Sequence, residues 1–238
     1  MPAGKARQSD EDCTPTWLAV ERPPALDPGD LHLWLIRADG DGRESDSLLH
    51  ILGERQRQRA ERMTRVGIRS RYVKAQAGLR RILGAYLDCH PAAIAFSHGP
   101  AGKPGLAPHR TDLELNLTTT GDIALVAVRR GQAVGIDCER IRPRENLVGI
   151  AERMFDPAEV RALAATPEPL RNERFYRAWT ALEADCKCDG RGLFRPRAAA
   201  AMPPRIAHFR PASGYVAAVA SASLPAPGYW STLELIVR

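Results

Sequence analysis

Asp137 and Glu139 stand two residues apart in the run Val134-Gly135-Ile136-Asp137-Cys138-Glu139. In an extended chain such residues share a face, so both carboxylates point one way and Cys138 the other. Paired carboxylates repel unless a proton or a cation lies between them. A ligand set made only of oxygens suits a hard ion such as Mg²⁺. Taken alone, the pair reads more readily as a solvated strand end. A second set lies in Trp179-Thr180-Ala181-Leu182-Glu183-Ala184-Asp185-Cys186-Lys187. Trp179, Glu183 and Lys187 are each four apart and stack on one helix face. Glu183 there could be a third metal ligand or a base, with Lys187 poised on a phosphate. As an exposed pair, the same two would contribute only about 0.2–0.5 kcal/mol.

Other reactive side chains form no comparable set. The six histidines lack paired metal-ligand spacing and read as structural or surface residues. Ser97 has no base and orienting acid placed around it by the sequence. The five cysteines (Cys13, Cys89, Cys138, Cys186, Cys188) are odd in number and scattered, which argues against a disulfide framework and for a reducing cytoplasm. Cys186 and Cys188 lack the second ligand pair that a zinc site requires.

Periodicity supplies the elements that must position these groups. A strand is expected over Leu31 to Ile36, a helical stretch over Leu49 to Met63, and a longer helix from about Ser70 to Leu87. Leu113, Leu115 and Leu117 alternate with polar residues as in a half-buried strand. The runs Ile123 to Val128 and Ala133 to Asp137, joined by a turn around Gly131, are expected to pair as a hairpin. A helix follows over Leu147 to Phe155. Asp156-Pro157-Ala158-Glu159 resembles a capping-box start, and a helix over Arg171 to Cys188 should stop at Asp189-Gly190. Strand-like runs recur near Ile206, over Tyr215 to Ala220 and over Thr232 to Val237. Helices followed by antiparallel strands thus occur twice. The expected fold is α+β, built of two related halves: a disordered leader over 1–16, an N-terminal half over 17–130 and a C-terminal half over 131–238.

The chain of 238 residues carries a net charge of +6, with only four lysines, so arginine supplies nearly all of it. Such a balance favours an anionic partner: a phosphorylated cofactor, an acidic protein or nucleic acid. Nucleic acid is set aside, because no basic patch interleaved with aromatics and no reader motif is present. No apolar run approaches the ~20 residues that cross a bilayer, and the polar start has no secretory h-region.

The order and spacing of several short motifs resemble the 4′-phosphopantetheinyl transferase family of the Sfp type. Its Gly-Ile-Asp-x-Glu stretch is matched by Gly135, Ile136, Asp137 and Glu139. Its Trp-Ser/Thr-x-Lys-Glu-x-x-x-Lys helix and Gly-x-Gly-Leu turn are matched by Trp179, Thr180, Glu183, Lys187, Gly190, Gly192 and Leu193. Phe155 to Glu159 resembles a Phe-Ser-Pro-x-Glu segment. Gly102-Lys103-Pro104 matches a Gly-Lys-Pro motif, and Asn116 to Gly121 stands where the family has Asn-Leu-Ser-His-Ser-Gly.

The resemblance implies a pseudo-dimer of two α+β halves, monomeric as a chain, with coenzyme A in the cleft between them. It implies Mg²⁺ held by Asp137, Glu139 and Glu183, and Lys187 on the pyrophosphate. Lys103 would lie near the adenine, Arg71 near the 3′-phosphate, and Thr118 and Thr119 beside a phosphate. The acceptor would be a serine of an acyl or peptidyl carrier protein, its proton passing to Glu183 or to a metal-bound water. Two positions depart from the pattern: Leu182 replaces a lysine and Thr119 a histidine. Each lost charged contact removes about 1.5–3 kcal/mol. A second reading is therefore a repurposed relative that binds coenzyme A or a carrier protein and performs other chemistry, or none, with Cys138, Cys186 or Cys188 as a candidate thiolate.

Overall fold

The computed structural model describes residues 12–39, 42–99, 102–107 and 111–236. Residues 1–11 of the expected leader lie outside this range. Residues 12–16 do not behave as a loose leader, since Cys13 forms a parallel bridge with Phe209 and its carbonyl accepts from the Arg210 amide at 2.8 Å.

In chain order the strands are β1 (Leu18–Val20), β2 (His32–Arg37), β3 (Ala95–His98), β4 (Pro104–Ala107), β5 (Leu113–Thr120), β6 (Ile123–Arg130), β7 (Val134–Arg140), β8 (Arg205–Phe209), β9 (Tyr215–Ser221) and β10 (Ser231–Leu235). The helices are α1 (Gly42–Ser47), α2 (Glu54–Glu61), α3 (Val66–Leu87), α4 (Leu147–Met154), α5 (Pro157–Ala165) and α6 (Glu168–Asp189). The stretch expected to be helical over 49–63 divides at Gly53, whose extended backbone starts α2. Asp156 caps α5 as its sequence suggests, accepting from the amides of Ala158 and Glu159. Gly190, at φ +71°, ends α6 in the left-handed conformation that glycine tolerates.

Two sheets form the middle of the molecule: β1-β10-β2-β6-β5, and β7-β9-β8. One face of the larger sheet (Trp34, Ile36, Ala124, Val126) packs on Leu79, Ile82 and Leu83 of α3. Its other face (Leu33, Leu35, Leu125, Ala127) meets Val134, Ile136, Ala217 and Val219 of the smaller sheet. Beyond that sheet lies α6, with Ala184 and Cys188 against Ala218 and Ala220. The layers therefore run helix, sheet, sheet, helix.

This arrangement corrects the expected hairpin of 123–128 with 133–137. β6 pairs with β5 and β2, and β7 pairs with β9. Both faces of β6 are apolar, so it needs cover on two sides. The turn at Gly131 carries the chain into the next layer, and β7 meets β6 face to face rather than edge to edge. The hairpin partner of β6 is β5.

Candidate active site

The site begins where β7 touches α6. A Cβ on Gly135 would lie 2.0 Å from the Ala184 carbonyl oxygen and 2.4 Å from the Cys188 amide nitrogen. Only a residue without a side chain allows strand and helix so close. Two residues further along β7, Asp137 is 4% exposed and faces the α6 side of the sheet. Lys187 Nζ donates to Asp137 Oδ1 at 2.6 Å and stands 3.8 Å from Glu183 Oε2. From β5, Thr118 Oγ1 donates to Asp137 Oδ1 at 2.9 Å and Thr120 Oγ1 to Glu139 Oε2 at 3.2 Å. Strand alternation and helical spacing thus gather Asp137, Glu139, Glu183 and Lys187 from two elements into one neighbourhood.

The three acids strain against being ionised together. Burial pushes the Asp137 carboxyl upward, with Lys187 and Thr118 pulling it back. Burial and then repulsion from Asp137 raise Glu139. Burial raises Glu183, Lys187 opposing it and Asp137 adding to it. Among the described residues no three acid, histidine or cysteine side chains close into a ligand set; the Lys187 ammonium is a cation whose charge acts on all three acids. One oxygen nevertheless stands out. Asp137 Oδ2 is buried and has no hydrogen-bond partner. An orphaned carboxylate oxygen is costly, and a divalent ion beside it would relieve both that cost and the mutual repulsion. The residues present fit a hard cation.

A cavity of about 860 Å³ opens past the end of β7; the acids do not line it, but Arg140, next to Glu139 in the chain, does. Arg59, Arg71, Arg140 and Arg142 line it, together with Thr119 and Thr120. It joins the acid cluster at Thr120, whose hydroxyl meets Glu139. The charge of Arg142 also acts on the Glu139 carboxyl. Arg71 is held at the rim by Asp122, Nη2 to Oδ1 at 2.7 Å. The arginines at 59, 140 and 142 were missed by sequence reasoning. Arg140 and Arg142 follow Glu139 at spacings of one and three, so they were visible only as part of the general arginine excess.

Of the other residues singled out, Arg71 and Thr119 reach the cavity. Thr118 faces the interior and bonds a carboxylate. Lys103 is not among the residues that line the cavity: its ammonium donates to the carbonyls of Cys188 (2.8 Å) and Val134 (3.1 Å), tying the end of α6 to the start of β7. Leu182 is half-buried on α6. Cys138, Cys186 and Cys188 are buried with their thiols pushed up by burial, the opposite of a reactive thiolate.

Comparison with known proteins agrees with the motif order. The profile of the 4′-phosphopantetheinyl transferase superfamily matches residues 133–219, the span of β7, α4 to α6, β8 and most of β9. The chain is 34% identical over 182 residues to the 4′-phosphopantetheinyl transferase HetI of Nostoc sp., covering 75% of this chain and 76% of that protein. It is 25% identical over 153 residues to the 4′-phosphopantetheinyl transferase Sfp of Bacillus subtilis, covering 64% and 66%. A third similarity, 39% over 112 residues, is to the 4′-phosphopantetheinyl transferase AcpT of Escherichia coli, covering 47% and 55%. The acids and Lys187 all lie within the matched segment, and by that match and the similarity to HetI the chain belongs to the 4′-phosphopantetheinyl transferase superfamily.

Proposed function

We propose that this protein transfers the 4′-phosphopantetheine arm of coenzyme A to a serine of an acyl or peptidyl carrier protein, using Asp137, Glu139 and Glu183 to hold Mg²⁺. The observation that carries the assignment is the β7–α6 contact, which presents the partnerless Asp137 Oδ2 beside Glu183 and Lys187. The arginines around the neighbouring cavity supply the positive charge for the phosphates of coenzyme A. They also compensate for Thr119, where the family has a histidine. Bound Mg²⁺ would neutralise charge on the phosphoryl oxygens.

The protein's own groups account for the remaining steps. The arginines fix the nucleotide end, and Lys187 turns from Asp137 toward the pyrophosphate. A carboxylate oxygen of Glu183 takes the proton from the serine hydroxyl, a role suited to a carboxyl raised by burial. The serine Oγ–P bond forms as the pyrophosphate P–O bond breaks, and 3′,5′-ADP leaves. Carrier proteins are usually acidic, which complements the net charge of +6. The pseudo-dimer assignment draws support from two helices of 22 residues, α3 and α6, each lying on one sheet. Halves at 17–130 and 131–238, a monomeric state and a cytoplasmic location with all five thiols free complete the proposal.

The test is an intact-mass assay with coenzyme A, Mg²⁺ and apo carrier protein. The wild-type protein is expected to give the phosphopantetheine mass gain. Glu183→Gln is expected to lose at least about 100-fold in rate with unchanged circular dichroism. Undiminished turnover in Glu183→Gln would remove Glu183 from the chemistry.

A further inference from the structure

β7 is an edge strand of its sheet: β9 pairs with one side of it and, among the described residues, no strand pairs with the other. An open edge leaves amides without partners, and here side chains of β5 fill the gap. Asn116 Oδ1 accepts from the Ile136 amide at 2.9 Å, and Thr120 Oγ1 accepts from the Arg140 amide at 3.4 Å. Between and beside these edge contacts, Thr118 donates to Asp137 Oδ1 and Thr120 to Glu139 Oε2. Residues 116, 118 and 120 recur at the strand period of two, so one face of β5 forms a ladder along β7. Asp137 Oδ1 takes both Thr118 and Lys187, while Oδ2 takes neither.

We infer that Thr118 and Thr120 are positioning residues for the metal site: their hydroxyls set the orientation of the Asp137 and Glu139 carboxylates and decide that Asp137 Oδ2 is the oxygen offered to the cation. This rests on the metal assignment proposed above and assigns the Thr118 hydroxyl to a protein carboxylate instead of a substrate phosphate. Groups that orient metal ligands from behind typically contribute 10- to 100-fold in metal affinity. Valine keeps the shape of threonine and removes the hydroxyl; serine keeps the hydroxyl.

The experiment is a titration of the purified full-length protein with Mn²⁺, free ion read by electron paramagnetic resonance, without coenzyme A or carrier protein. Thr118→Val and Thr120→Val are expected to raise the Mn²⁺ dissociation constant by about tenfold each, and Thr118→Ser to restore the wild-type value. Thr120 is only partly buried, so its variant reports even if Thr118→Val fails to fold. Valine variants that bind Mn²⁺ as tightly as the wild type would overturn the inference. So would a loss in Thr118→Val that serine does not restore, because the cause would then be packing. A wild-type protein that binds no Mn²⁺ would overturn the metal assignment itself, an outcome distinct from equal binding by all variants.

Discussion

His208, on β8, is half-buried against α6, and its Nε2 donates to the Arg177 carbonyl at 3.1 Å, so the proton of the neutral ring sits on that nitrogen. Burial, and then the Arg177 charge, lower its pKa from 6.5 to about 4. As the pH falls through 6.5, the unfolded chain takes up a proton that the folded protein refuses until about 4. Stability from this residue is therefore complete above pH 6.5 and lost below it, at about 1.4 kcal/mol per pH unit. Urea unfolding at pH 7 and pH 5 should show about 2 kcal/mol of loss in the wild type that is missing in His208→Gln. An equal loss in both proteins would refute the buried neutral assignment. At this scale the sequence was legible wherever a residue's role follows from period. Asp137 with Glu139, and Glu183 with Lys187, could be grouped from spacing alone. Lys103 could not, because the carbonyls it bonds come from residues 31 and 85 positions away. The arginine-lined cavity was likewise hidden, since its wall is assembled from α2, α3, the end of β5, and the end of β7 with the segment after it.

Contact between elements depends on Gly135 more than on any charged group. Its missing side chain lets β7 lie against the Ala184–Cys188 turn of α6, and that closeness carries Asp137 to Lys187. Gly135→Ala would drive a methyl group into a backbone carbonyl, and backbone gives way less readily than a flexible side chain. Overpacking of this kind costs about 1–3 kcal/mol or more. Chemical denaturation should place Gly135→Ala at the upper end of that range, with a parallel fall in transfer rate. Full activity in this variant would mean that the strand–helix spacing is not what positions the acids. Most helices could be read from periodicity and caps, as with α4, α5 and α6. The pairing of β7 could not. The apolar runs around Gly131 suit a hairpin and a layer crossing equally well, and only the presence of a second sheet to cover β6 decides between them.

Across the whole molecule, the segment leading into β1 spans both sheets. Asp12 pairs with Arg177 and Arg210 on the side of the smaller sheet. Trp17 Nε1 donates to the Pro211 carbonyl at 2.8 Å, and Thr232 Oγ1 donates to the Thr16 carbonyl at 2.7 Å. Each such hydrogen bond contributes about 1 kcal/mol net. With the bond from the Arg210 amide to the Cys13 carbonyl, three such contacts are lost, so deleting residues 1–17 should lower the unfolding free energy by about 3 kcal/mol, measured by urea denaturation. An unchanged midpoint would show that the segment merely rests on the surface. The larger sheet holds a related consequence. β10 lies between β1 and β2, parallel to both, so two of the earliest strands have no direct contact and wait for residues 231–235 to come between them. During folding that slot stays open until residues 231–235 fill it. Assembly of this layer is then deferred until β10 arrives, and a chain caught before that step has the exposed-edge vulnerability that chaperones exist to cover.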